Sequence, residues 1–418
     1  MRFCMVTTFY PPYHFGGDAE FIHQLSNELA MRGHEVEVVH CRDAFELLGG
    51  RASNGAYGNH PNVTIHELKS AAGWLSPVLT QQTGGPILKA SALENIFRKP
   101  FDVIHYHNIS LVGGPRILEY GRAIKLYTLH EYWLICPTHM LFKFGKAPCA
   151  QASCLLCTVA HGRPPQMWRY MRTIERAVDH VDLFLAPSRF SMQKHREMGL
   201  KRPIVELPYF TSRWPLAPQS RRGEESHEEP YFLFVGRLEK IKGLQTLIPA
   251  FRCYTKAQLL IVGTGEYEDC LRGMAAGSPH IKFLGRLGGE ELRSLYEGAV
   301  ATIVPSLWYE VFGIVILESF TQRTPVIVRD VGGMPNVVEE SGGGLVFTTE
   351  TELLRAMDRL LEERGLREEM GRRGHRAFEE KWSAGAHIPR YLGLIEAIAS
   401  CGTARSGPWN NIQPQPIG

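Results

Sequence analysis

Apolar and polar positions alternate along this chain in two different periods, and the changes of period delimit its elements. Residues Arg2 to Thr7 are a short, nearly all-apolar run, as a buried strand requires. A loop rich in Pro and Gly follows, FYPPYHFGGD. The next stretch, AEFIHQLSNELAMRG, carries apolar residues near helical spacing and stops at Gly33. EVEVV then reads as a second strand. Strand, Gly loop, helix and strand make a right-handed parallel unit. Further strands are predicted at VTIHEL, DVIHYH, AIKLYTL and DLFLAPS, with helical patterns between several of them. This is the signature of a doubly wound α/β half.

The alternation breaks at 215–230, PLAPQSRRGEESHEEP, a polar run with the composition of a surface linker. It then restarts. YFLFVG, QLLIVG, IKFLG, ATIVP, PVIVRD and GGLVF are strands of a second sheet, and helices are predicted over Leu244–Thr255, Glu290–Glu297, Phe312–Gln322 and Glu350–Glu363. The expected organisation is therefore a Rossmann-like domain over 1–212, a linker over 213–230 and a second Rossmann-like domain over 231–385. A final amphipathic helix covers 386–400 and a disordered tail 401–418.

Composition narrows the class. The 418 residues are 44% hydrophobic and 21% charged, ordinary for a soluble protein with a full core, and this excludes disorder throughout. Lys plus Arg is 46 against 43 for Asp plus Glu, a net charge of +3. So even a balance excludes a protein built mainly for nucleic-acid or membrane electrostatics. The opening MRFCMVTTFY is too short an apolar run for a secretory signal, and no stretch reaches the ~20 apolar residues of a membrane span. A cytoplasmic address is expected, with contact at the inner membrane face left open. Nine cysteines are too few for a disulfide scaffold of this length.

The most informative chemistry lies in PSLWYEVFGIVILESF. Glu310 falls in a loop, and Glu318 about one and a half turns into the helix that follows. That helix is otherwise apolar, through Ile314, Val315, Ile316, Leu317 and Phe320. A carboxylate buried there needs partners, and the two hydroxyls of a ribose would serve. The amides of Val311, Phe312 and Gly313 point off the helix N-terminus, a natural place for a phosphate. The competing reading makes Glu318 an exposed residue of a surface helix. In VGRLEKIKGLQTLI, Arg237 and Lys242 follow a strand end and could neutralise a diphosphate; two solvated cations are the alternative.

These residues carry a resemblance. The sequence resembles glycosyltransferase family 4, the retaining nucleotide-sugar glycosyltransferases of the GT-B fold, over nearly all of Arg2 to Ser400. The motifs are FYPPYHFGGD, DVIHYHN, LHEYWLICP, APSRF, VGRLEKIKG, IVGTGE, FLGRL, the Glu310 and Glu318 pair, and DVGGMPNVV. The resemblance implies an acceptor-side first domain, with the last helix packing back on it, and a donor-binding second domain. It assigns Arg237 and Lys242 to the donor diphosphate, Glu318 to the ribose and Glu310 to the donor sugar, helped by the Val311–Gly313 amides. Arg286 and Leu287 would face the nucleobase. Gly16 and Gly17 would let backbone approach the phosphates, although a tight turn would also explain them. His107 would sit by the reacting sugar, and His130 on the cleft side. The implied donor is a UDP- or GDP-sugar, and the acceptor a saccharide or lipid-linked saccharide in a polysaccharide, lipopolysaccharide or glycolipid pathway. No cofactor would be required for catalysis: no Asp-x-Asp motif is present, and the cations would stabilise the leaving group. Competing functions are an epimerase or phosphorylase of the same fold and a non-catalytic nucleotide-sugar-binding subunit. A dinucleotide dehydrogenase is disfavoured, because GTGEYE at Gly263 lacks the third glycine of GxGxxG.

Four cysteines cluster: Cys136, Cys149, Cys154 and Cys157, the last two as CxxC. They could close a structural zinc site, with His139 or His161 as substitute ligands, and so shape the acceptor side of the cleft. Reduced cysteines or a redox disulfide would fit the same spacing. Trp168, Arg169, Tyr170 and Arg172 could meet a membrane interface.

Overall fold

Every strand predicted from an apolar run is present, and the strands assemble into two parallel sheets. The computed structural model describes residues 1–50, 57–149, 153–214 and 229–400. Most of the expected linker, at 215–228, and the tail at 401–418 lie outside the described residues.

The first sheet contains β1 (Arg2–Val6), β2 (Glu35–Cys41), β3 (Val63–Leu68), β4 (Val103–Tyr106) and β5 (Ile124–Thr128). A small antiparallel hairpin, β6 (Phe142–Lys143) and β7 (Ala147–Pro148), stands apart from it. β8 (Leu183–Ala186) and β9 (Ile204–Glu206) complete the sheet in the order β3-β2-β1-β4-β5-β8-β9. β9, Ile-Val-Glu, was too short to stand out in the apolar pattern. The second sheet contains β10 (Tyr231–Val235), β11 (Gln258–Val262), β12 (Ile281–Gly285), β13 (Ala301–Val304), β14 (Val326–Arg329) and β15 (Gly344–Phe347). Its order is β12-β11-β10-β13-β14-β15.

In both sheets the order reverses beside the first strand, at β1/β4 and at β10/β13. A doubly wound sheet opens a crevice at such a switch point, beyond the carboxyl ends of the strands. The loops placed there are the Pro and Gly loop after β1, His107 after β4, Arg237 after β10 and the Pro305–Gly313 loop after β13. The chemistry read from the sequence therefore falls on the four strand ends that topology selects. GTGEYE follows β11 instead, away from the switch point.

The helices form for local reasons. The helix Glu350–Glu362 buries Leu353, Ala356, Met357 and Leu360, one stripe at helical spacing. Its start is fixed by a capping box: Thr349 Oγ1 accepts from the Glu352 amide, and Glu352 Oε2 accepts from the Thr349 amide at 3.1 Å. The helix predicted at Phe312–Gln322 is shorter, Ile314–Thr321, because Gly313 takes a left-handed φ of 97° as its N-cap. The final helix, Ala384–Ser400, lies against the first domain. Tyr391 hydrogen-bonds His105 Nδ1 at 2.9 Å, and His387 Nδ1 meets the Pro208 carbonyl at 2.8 Å. One apolar cluster runs continuously from Phe3 and Leu25 through Tyr209 and Phe312 to Phe320, Trp382 and Ile395, so the domain junction is itself part of a core. None of the described helices is long and apolar enough to cross a membrane.

Candidate active site

Glu310 follows β13 and is only 8% exposed. Its Oε1 accepts from Lys242 Nζ at 2.6 Å and from Ser306 Oγ at 2.9 Å. Burial works to raise the carboxyl pKa, but the Lys242 ammonium and these hydrogen bonds outweigh it and hold the group below its ordinary value. Lys242 arrives because Gly243, with a φ of 81°, lets its loop lie against the Pro305 loop. A Cβ at Gly243 would stand 2.0 Å from the Pro305 carbonyl oxygen. Arg237 is elsewhere. Its side chain is 49% exposed and paired with Glu239 at 2.5 Å, so the structure brings one of the two expected cations to the carboxylate and leaves the other at the rim.

Glu318 is 6% exposed, which removes the surface-helix reading. Its partners are internal: Arg213 Nη1 donates to Oε1 at 2.7 Å, and Tyr296 donates to Oε2 at 2.7 Å. Burial would lower the Arg213 pKa, but the Glu318 charge outweighs it and raises it. Neither Arg213 nor Tyr296 was singled out in the sequence, since each sits in a different element far along the chain from Glu318. Arg213 belongs to the segment leaving the first domain, where the adjacent Ser212 amide bonds Gln24 at 2.6 Å. The carboxylate is thus tied to the domain crossover.

Facing these groups is a chain of histidines from the first domain. His107 Nδ1 lies 2.8 Å from His130 Nε2, and His130 Nδ1 lies 2.6 Å from the Tyr209 hydroxyl. Burial lowers the His107 pKa well below normal, with neighbouring His105 and His130 adding to it, and lowers His130 to about 4. Both rings are therefore neutral near pH 7. The Tyr209 hydroxyl can donate to or accept from His130 Nδ1, so the tautomers of His130 and His107 are set together along a relay that ends at His107 Nε2. That nitrogen is buried with no partner among the described residues, as is the Tyr132 hydroxyl. Tyr132 stands close enough to Glu310 to feel its charge, and the Lys242 ammonium lies 5.5 Å from the Trp308 ring centroid. Buried polar groups are normally satisfied, so these two unpartnered atoms mark a place for a ligand rich in hydroxyls.

The two walls touch. Ser188 Oγ donates to the Val311 carbonyl at 2.6 Å, Arg189 pairs with Glu340 at 2.7 Å, and the Tyr209 and Phe312 rings are 5.5 Å apart. Gly16 is extended, with φ −153°, and caps the helix that Gly17 opens, so neither position needs a left-handed backbone. Gly17 supplies clearance: a Cβ there would lie 3.1 Å from Ile314 Cδ1 across the cleft. The amides of Val311, Phe312 and Gly313 lead into the helix Ile314–Thr321 at the same place. Arg286 lies within electrostatic reach of His14 in the first domain, whereas Leu287 packs onto the Tyr231 and Leu295 cluster.

Cys136, Cys149, Cys154 and Cys157 all line one small pocket, of about 20 Å³, in the first domain. Among the described residues there is no disulfide, and no group of three or more His, Cys, Asp or Glu that could hold a metal ion. His139 is engaged by Glu131 at 2.9 Å and does not line this pocket. Neither does His161. Of the residues suggested for a membrane interface, two turn inward. Trp168 is buried and donates to the Gln81 carbonyl, and Arg169 stacks over Trp133 and Trp168. Tyr170 is exposed.

Comparison with known proteins agrees with this geometry. Residues 15–209 match the family model Glycosyltransferase Family 4, and residues 217–377 match Glycosyl transferases group 1. An uncharacterised glycosyltransferase of Methanocaldococcus jannaschii is 27% identical over 402 residues, 92% of this chain and 95% of that protein. A glycogen synthase of Mycobacterium tuberculosis is 27% identical over 364 residues, 81% of this chain and 80% of that protein. In fold, the chain is similar to sucrose-phosphate synthase from Thermosynechococcus elongatus, with TM-score 0.74 and 18% identity over 96% of this chain and 99% of that one. It is also similar to Anabaena HepE, solved with UDP-glucose, with TM-score 0.66 and 16% identity over 95% and 100%. Two family models, one on each sheet, and glycosyltransferase relatives that span both place the chain in glycosyltransferase family 4, as a glycosyltransferase of GT-B fold.

Proposed function

We propose that the protein transfers a sugar, with retention of configuration, from a UDP- or GDP-sugar to a saccharide or lipid-linked saccharide, without a metal ion. The observation that carries this reading is the convergence of the Glu310–Lys242 pair, the Val311–Gly313 amides and the unpartnered His107 Nε2 and Tyr132 hydroxyl near the two switch points. Breaking the sugar–phosphate bond leaves an oxocarbenium-like sugar and a diphosphate carrying new charge. Lys242, Arg237 and the helix N-terminus supply positive potential for that leaving group, the work a divalent cation does elsewhere. His107, held neutral by burial, would hydrogen-bond a sugar hydroxyl through Nε2. Glu310 is clamped by an ammonium and a hydroxyl, a poor state for a covalent nucleophile. This favours attack by the acceptor on the leaving-group face, which retains configuration. Glu318 has lone pairs left beyond Arg213 and Tyr296 with which to accept from ribose hydroxyls.

A lipid-linked acceptor would suit the outer face of the first domain. Leu155, Leu156, Val159, Met167, Tyr170 and Met171 are exposed there, beside exposed Arg172.

The test is transfer from radiolabelled UDP- and GDP-sugars to saccharide acceptors, with and without EDTA, and NMR of the anomeric product. Turnover that survives EDTA and gives a product with the donor's anomeric configuration supports the reading. Dependence on added metal, or inversion, would overturn it. Interconversion of donor without any acceptor would point to an epimerase.

A further inference from the structure

A cavity of about 640 Å³ opens in the first domain, outside the cleft. Its walls come from the turn 134–137 after β5, the segment 169–179 and the loop 198–202 before β9. No residue of the second domain lines it, and neither His107 nor His130 does. Its size falls within the range of about 300–1,000 Å³ in which proteins hold small organic ligands. Leu134, Val178 and Leu200 line it and are buried, so part of its wall is apolar.

Its charge is not balanced. Arg169, Arg172, Lys201 and Arg202 line it against Glu175 and Asp179, four cations against two carboxylates. Asp179 pairs with Arg202 at 3.6 Å. Among the described residues Arg169, Arg172 and Lys201 have no ion-pair partner. Arg172 and Lys201 are exposed and so stand at the mouth. Arg169 is set deeper. Its guanidinium lies over two indoles, 5.0 Å from the Trp133 ring centroid and 4.8 Å from that of Trp168, and its Nε donates to Gln166 Oε1. Its Nη2 is shut off from solvent and has no hydrogen-bond partner among the described residues. Burial pushes the Arg169 pKa down to about 10, which leaves the group charged near pH 7. A charged guanidinium, oriented by two rings and holding an unused donor at a cavity wall, calls for an anion there.

We propose that this cavity binds a phosphate monoester, with Arg169 holding the phosphate from within and Arg172 and Lys201 meeting it at the mouth. A phosphate monoester carries about −1.5 to −2 charges at pH 7, which matches the excess of cations. The guanidinium fork of Arg169 can meet two phosphate oxygens at once. The cavity has room beyond the phosphate, and its apolar wall suits the organic part of the ester. The site goes beyond the transfer reaction and does not rest on it, because the groups proposed for transfer lie in the cleft. The same phosphate chemistry can arrive on a soluble ester or on a lipid headgroup. Tyr170, on the cavity wall, and the adjacent Met171 are 57% and 65% exposed, and a lipid would bring its chains against them.

The experiment has two arms on the full-length protein. Phenyl phosphate is titrated by calorimetry, and vesicles of phosphatidylcholine, with and without phosphatidic acid, are tested by flotation. Saturable binding of phenyl phosphate identifies a soluble ester as sufficient. Capture by the phosphatidic acid vesicles without binding of phenyl phosphate identifies the lipid as the source. Either result supports the site if it is lost from the variants. Arg172→Gln with Lys201→Gln changes two exposed positions and should weaken binding at least about tenfold at unchanged Tm, since a hydrogen bond to a charged group is lost at each. Arg169→Lys keeps the charge and loses the fork, and it should weaken binding by a similar factor. No binding in either arm, equal capture by phosphatidylcholine alone, or affinity unchanged in both the Arg169→Lys variant and the double variant would overturn the proposal.

Discussion

Replacing Lys242 with Met separates the charge of the cleft from its shape, because Met keeps most of the apolar stem. Glu310 then remains buried at 8% exposure, with its ammonium partner gone and the Ser306 hydrogen bond kept. Removing one partner of a buried ion pair costs about 3–5 kcal/mol. For a domain of this size that is a fall in Tm of roughly 6–20 °C. The pH dependence should change sign. In the wild type the Glu310 pKa is depressed, so its contribution is present above the unfolded value of 4.5 and is lost as pH falls through the folded value. Without the ammonium, burial dominates and raises the pKa. The variant should then lose stability as pH rises above 4.5, with the full penalty at neutral pH. Turnover should drop about 10²–10³-fold if Lys242 meets charge that develops on the leaving diphosphate. The assay is thermal unfolding across pH together with donor turnover, on K242M, E310Q and K242M/E310Q. The double variant should regain much of the lost Tm and none of the activity. A K242M Tm within 2 °C of wild type by the same conversion, or a double variant no more stable than K242M, would refute the argument.

Other predictions use the same network. R213A leaves Glu318 with Tyr296 alone and should weaken binding of the nucleoside diphosphate about tenfold by calorimetry, since a hydrogen bond to a charged group is worth about 1.5–3 kcal/mol. G17L pushes a side chain against Ile314 across the cleft, so turnover should fall steeply while Tm holds or rises, glycine being the poorer helix residue. Burial holds His130 at about 4 and His387 at about 3, against an ordinary 6.5. Unfolded histidines take up protons below 6.5 while these two do not, so stability is complete above that pH and declines toward 4, by on the order of 3 kcal/mol for each. A Tm that stays flat between pH 6.5 and 4.5 would contradict their burial as neutral rings.

The sheets were legible because parallel strands buried on both faces are continuous apolar runs, and each such run became a strand. β9 escaped because three residues, one of them Glu206, carry no period. The carboxylates were legible for a related reason: Glu318 is conspicuous in an apolar helix. Its partners were not, because Arg213 and Tyr296 approach from other elements, and no local pattern records a contact across 105 or 22 residues. The same holds for Tyr132, whose value lies in a buried hydroxyl left without a partner among the described residues, a property of packing alone. Gly16 and Gly17 were visible as glycines, yet whether they serve a turn or clearance depends on backbone angles and on Ile314 across the cleft.

The arrangement also constrains how the cleft can work. The direct polar contacts between its walls are few: Ser188 with the Val311 carbonyl, Arg189 with Glu340, and Arg213 with Glu318. Arg189 is half exposed, and a surface pair of that kind is worth little. The apolar cluster through Tyr209, Phe312 and Trp382 lies at the base of the cleft and holds the domains together there. Opening about that base would break the Ser188 contact, while Glu310 keeps Lys242, since both belong to the second domain. Arg213 differs: it comes from the crossover and holds Glu318 from the first-domain side. A donor that draws on Glu318 therefore binds at a buried carboxylate that is also tied to the other domain, and nucleotide binding and closure should be coupled through it.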